Sequence, residues 1–119
     1  MPSLLTKATL LLTSLTLAAA TPLVSYAGYY YENCTDPSIT TANIARSACV
    51  NVENFPINSF TAYIFSGACD DSATSPVLSV YTASGCSADD LVESVEVTDE
   101  KTCFAIDDVT AVSLGVECV

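Results

Sequence analysis

The sequence predicts an all-β protein, a two-sheet sandwich built from two similar units and stapled by three disulfides. Three observations carry that expectation. Apolar and polar residues alternate with a period of two in stretches rich in β-branched and aromatic side chains, as where Leu78, Val80 and Thr82 interleave with Ser79, Tyr81 and Ala83. The neighbours of the cysteines in the first half of the chain are echoed in the second half. Six cysteines in 119 residues, an even count behind a secretory-type leader, form the pattern of a disulfide framework.

The leader occupies residues 1–20. Lys7 precedes an apolar stretch over residues 8–17, and Ala18, Ala19 and Ala20 supply the small residues of a cleavage site. Cleavage is expected after Ala20, with a second candidate cut after Ala27, where Ser25 and Ala27 are also small. Thr13, Ser14 and Thr16 interrupt the stretch, which falls short of the ~20 apolar residues of a spanning helix. The expected product is therefore extracellular and has no membrane span. It is a single cysteine-rich domain over residues 21–119, with repeat units at about 26–72 and 75–119.

Charge and composition exclude several functions. Loss of Lys7 leaves Arg46 and Lys101 against 14 acidic residues, a net charge of −12. Such a chain is repelled by phosphate backbones, so no nucleic-acid partner is expected. Histidine is absent, which removes Ser-His-Asp triads, Cys-His pairs and histidine-ligated zinc.

The elements follow from the repeat. Tyr29-Tyr30-Tyr31-Glu32-Asn33-Cys34 corresponds to Val80-Tyr81-Thr82-Ala83-Ser84-Gly85-Cys86, an aromatic strand end leading through a polar turn into cysteine. Cys49-Val50-Asn51-Val52 corresponds to Cys103-Phe104-Ala105-Ile106, each a strand opened by cysteine. A third match aligns Phe60-Thr61-Ala62, which leads to Cys69, with Val109-Thr110-Ala111, which leads to Cys118. Breakers such as Asp36-Pro37, Phe55-Pro56 and Ser84-Gly85 separate these stretches. Residues 38–48 and 87–94 read either as strands or as short helices, the second with Ser87 as N-cap and Asp89 and Asp90 in its first turn. Each unit thus holds four strands, or a strand, a helix and two strands.

An aromatic strand, an acidic turn, a cysteine-led strand and a final alternating strand, repeated once, resemble the duplicated Greek-key pattern of the βγ-crystallin superfamily, a plan shared by some small secreted fungal killer-toxin-like proteins. Cys34 and Cys86 stand where that motif usually carries glycine and aromatic residues, and tryptophan is absent. The helical alternative is similar instead to α/β-sandwich killer toxins. Three cysteines per unit require at least one bond between units. The Greek-key resemblance implies Cys49 with Cys118, Cys69 with Cys103 and Cys34 with Cys86. It also implies calcium at an acidic pair followed by a hydroxyl, for which Asp107-Asp108 supplies the carboxylates and Thr110 a displaced hydroxyl.

Two further Asp pairs, Asp70-Asp71 and Asp89-Asp90, follow cysteines and read as solvated loop acids. Asn33-Cys34-Thr35 is an N-glycosylation sequon whose middle residue is expected to be bonded. Tyr26, Tyr29, Tyr30 and Tyr31 form an amphipathic strand end or an exposed contact patch. No cofactor and no catalytic residue is expected, since the usual acid, base and nucleophile sets are missing. The functional expectation is an interacting, effector-like or toxin-like monomer that binds a protein, a cell wall or a host surface. The alternative is an inert acidic component of the cell surface.

Overall fold

The computed structural model describes residues 21–119, so the leader expected at residues 1–20 lies outside the described residues. Six strands follow in order: β1 (Leu23–Tyr29), β2 (Ser38–Ala45), β3 (Cys49–Ser66), β4 (Pro76–Tyr81), β5 (Leu91–Glu96) and β6 (Thr102–Cys118). They form one antiparallel sheet in the order β2-β1-β3-β6-β4-β5.

The two long strands turn this sheet into a sandwich. Residues 59–66 of β3 pair with β1, whereas residues 49–51 pair with the end of β6, which in turn pairs with β4. Ladder irregularities between Asn51 and Phe55 and between Ile57 and Ser59 bend the pair. Pro56 sits in this bend, where a missing N–H costs least. Each long strand therefore leaves one layer and enters the other. In each unit the last segment returns beside the first strand, as in a Greek key, while the preceding segment crosses to the partner layer.

The units are related by a twofold that holds at the level of register. Cys49 pairs with Gly115 and Thr61 with Cys103; Val50 pairs with Leu114 and Phe60 with Phe104. Tyr29 opposite Ser59 matches Tyr81 opposite Ser113, and both β1 and β4 carry an irregularity just before that tyrosine. Thr61 thus corresponds to Gly115, which corrects the Thr-Ala alignment expected from sequence. Thr110 instead faces Pro56 at the centre of the ladder.

One core lies between the layers. It includes Val24, Tyr26, Ile44, Ile57 and Phe60 from the first unit and Leu78, Val80, Val97, Leu114 and Val116 from the second. Tyr26 and Phe60 pack with ring centroids 5.8 Å apart, and Phe60 stacks on Phe104 at 5.3 Å. Burial of this alternating set on one face of every strand is what fixes the register.

The strand reading holds at both stretches that could instead be short helices. Residues 38–45 are β2, in which the β-branched Ile39, Thr40, Thr41 and Ile44 favour a pleated surface. The acids of the other candidate close a single 3-10 turn, Ala88–Asp90, before β5 begins.

The disulfides also depart from the expected set. Cys34 bonds Cys103, Cys49 bonds Cys86 and Cys69 bonds Cys118. All three join one unit to the other. The twofold exchanges the first two, whereas the third has no counterpart, since Cys118 opposite Pro76 corresponds to Ile64 opposite Val24. The crossing segment does bring Cys49 into the second unit's layer, but it lies opposite Gly115, within reach of the turn that carries Cys86 and short of Cys118. The bonds span 69, 37 and 49 residues, and each contributes about 4 kcal/mol in the chain-entropy description. Three disulfides in a domain this small are typical of extracellular proteins.

Candidate binding cleft

Each unit folds a tight turn after its first strand, and one buried serine holds it. Ser59 Oγ donates to the Tyr31 carbonyl at 2.6 Å and accepts the Cys34 N–H at 2.8 Å. In the second unit Ser113 Oγ donates to the Ala83 carbonyl at 2.6 Å and accepts the Cys86 N–H at 3.2 Å. Both turns pass through left-handed backbone, at Asn33 (φ 59°) and Cys34 (φ 52°) and at Gly85 (φ 91°) and Cys86 (φ 52°). Non-glycine residues are uncommon there, and the serine bonds together with the adjoining disulfides hold them in place.

The turns differ in what they display. The first carries Tyr30 and Tyr31, which are 51% and 57% exposed and meet edge to face with centroids 5.5 Å apart. The second carries Thr82 and Ala83 at those positions. Asn58 ties the first turn to β6: its Nδ2 donates to the Tyr30 carbonyl at 2.9 Å, and its Oδ1 accepts the Asp108 N–H at 3.0 Å.

Beside this turn lies a cleft of about 700 Å³ between β5 and the first half of β6. Glu32 and Asn33 enter it from the turn, Val92 and Glu93 from β5, and Ile106 and Asp107 from β6. Three carboxylates and exposed apolar carbon thus share one opening without a cation. The pseudo-equivalent cleft, between β2 and the first segment of β3, measures about 500 Å³, and among the described residues Ile39, Thr41, Asn43 and Val50 line it.

Asp107, Asp108 and Thr110 all lie on β6. Asp107 lines the cleft, whereas the Asp108 backbone, at φ 44°, is engaged by Asn58. Thr110 pairs with Pro56 in the ladder. Among the described residues no group of three His, Cys, Asp or Glu side chains could hold a metal ion. Asp70 instead pairs with Arg46 at 3.6 Å, Asp71 caps its own turn through Ala73 N–H at 2.9 Å, and the Asp90 carbonyl accepts Thr82 N–H. Asn33 is exposed on the first turn, immediately before bonded Cys34.

The sequence does not single out Glu32, Val92 and Glu93 as site residues. The available signal was Val92-Glu93 at the start of an alternating strand, which places an exposed apolar side chain next to an acid facing the inner side. Among the described residues no helix is long and apolar enough to cross a membrane. Comparison with known proteins returned no matching family model, curated protein or solved structure.

Proposed function

We propose that this chain is a secreted, disulfide-stapled binding protein that acts by interaction rather than catalysis, in the manner of an effector or a killer-toxin-like protein. The observation that carries this reading is the Tyr30-Tyr31 pair, displayed on a turn fixed by Ser59 and the Cys34–Cys103 bond and continuous with a cleft lined by Glu32, Glu93 and Asp107. Rigid tyrosines offer large contact area at little entropic cost. The adjoining carboxylates select a partner surface that presents cations, whether on a protein or on a cell wall.

The test is capture of wall and host-extract components on the immobilised oxidised protein, compared with Tyr30→Ala/Tyr31→Ala. Retention should be weakened by salt, lost in the double variant and lost on reduction. Retention that is indifferent to both tyrosines would overturn the reading, and an inert acidic surface component would retain nothing at all.

A further inference from the structure

We propose that Asn33 is the attachment site of an N-linked oligosaccharide, which stands at the rim of the acidic cleft and limits access to it. Asn33-Cys34-Thr35 is the one sequon in the chain. Asn33, Thr35 and the preceding Tyr31 and Glu32 are all exposed, as attachment at a surface requires. Left-handed backbone at this point does not itself call for asparagine, since Gly85 meets the same requirement in the twin turn at φ 91°. The first turn thus offers an amide that its twin lacks.

Transfer has to precede folding. The Nδ2 atom of Asn33 bonds the anomeric carbon of an oligosaccharide carried on a polyprenyl diphosphate. The bond from that carbon to the diphosphate oxygen breaks, the lipid diphosphate leaves and Nδ2 gives up one proton. Once folded, the segment is fixed at Cys34 by the bond to Cys103 and by the N–H donated to Ser59 Oγ, so it cannot be drawn out into another protein's site. Cys103 follows Cys34 by 69 residues. At about 5–20 residues per second, synthesis of that stretch leaves Cys34 without its partner for roughly 3 to 14 s. The sequon is therefore open while the chain is being made.

Asn33 lines the cleft together with Glu32, Glu93 and Asp107, and it follows Tyr30 and Tyr31 in the same turn. An oligosaccharide there is bulky, and one made of neutral sugars leaves the charge of the carboxylates unchanged. It acts by excluding volume at the opening. The attachment rests on the reading of the chain as secreted, and the effect on access rests on the cleft as a binding surface.

The full chain with its leader, produced in an N-glycosylating secretory host, tests both. The secreted protein should be heavier by one oligosaccharide, which peptide mapping places on Asn33. Thr35→Ala should abolish the added mass and Thr35→Ser should retain it, with the near-UV spectrum unchanged in each. With a lysine-rich peptide as probe of the cleft, the glycosylated protein should bind roughly threefold or more weakly than Thr35→Ala. Trimming the oligosaccharide to its first sugar should recover the difference. Secreted protein unmodified at Asn33 overturns the proposal, as does equal binding before and after trimming. If no form binds the peptide, the reading of the cleft falls and the effect on access with it, whereas an unmodified chain retained inside the cell overturns the secretory reading.

Discussion

Pro56 of β3 faces Thr110 of β6 at the centre of the long ladder, and the pairings on either side of them mirror one another. The internal axis therefore passes through a residue that cannot donate to the ladder. Each unit completes its layer only with a segment supplied by the other, so a single unit lacks a closed core. This predicts cooperative unfolding of residues 21–119 as one body despite the repeat.

Ser59 and Ser113 are fully buried and perform the same task in the two units. Replacing either with alanine leaves a carbonyl and an N–H of its turn without their partner. Ser59→Ala and Ser113→Ala should each cost about 1–3 kcal/mol, in similar measure, by denaturant midpoint. The two turns share no partner, so the double variant should show the sum. A neutral Ser113→Ala would mean that the second turn is held by its disulfide alone.

Gly28 is required by packing. A Cβ at this position would lie 2.6 Å from the Tyr26 hydroxyl, 2.9 Å from Thr40 Cγ2 and 3.2 Å from Ile57 Cγ2. Gly28→Ala should destabilise by about 1–3 kcal/mol. Because the nearest atom is the phenol oxygen, Tyr26→Phe/Gly28→Ala should recover part of that loss. In the second unit the register-equivalent residues are Leu78 and Val80, so the same inward space is filled by two aliphatic side chains in place of a tyrosine over a glycine.

The duplicated β architecture was legible because period-two alternation and the turn into Cys34 and Cys86 are local signals. The third part of the repeat was misread because Thr61-Ala62 and Thr110-Ala111 share residues without sharing positions, and only the ladder, where Thr61 pairs with Cys103, reveals this. Disulfide connectivity depends on where the crossing segments stop in the partner layer, a distance of a few residues that no local pattern encodes. The cleft was illegible for a related reason, since Glu32, Glu93 and Asp107 come from a turn and two strands far apart in sequence.

The start of the folded chain bears on processing. Pro22 is buried, Val24 and Tyr26 belong to the core, and β1 pairs with both β2 and β3. A cut after Ala27 would remove most of β1, detach β2 from the sheet and take both core side chains away. Mass spectrometry of the secreted product should therefore find Thr21 as the first residue. A folded product that starts at Gly28 would contradict the placement of β1.

Tyr26 gives the protein an alkaline limit. Its ring is buried and its hydroxyl has no hydrogen-bond partner among the described residues, so burial pushes the phenol above its ordinary value near 10. Below that pH both the folded and the unfolded chain hold the proton, and the group contributes no pH dependence. Above it the unfolded chain releases the proton while the folded chain retains it, so stability falls as pH rises. Tyr26→Phe removes both the unpaired hydroxyl and the titration. It should match or exceed the parent by about 1 kcal/mol at neutral pH, since leaving a buried hydroxyl unsatisfied is unfavourable. Its alkaline unfolding should begin at higher pH, as followed by near-UV dichroism on a timescale short enough to exclude disulfide exchange. Coincident alkaline transitions in the two proteins would assign the limit to another group.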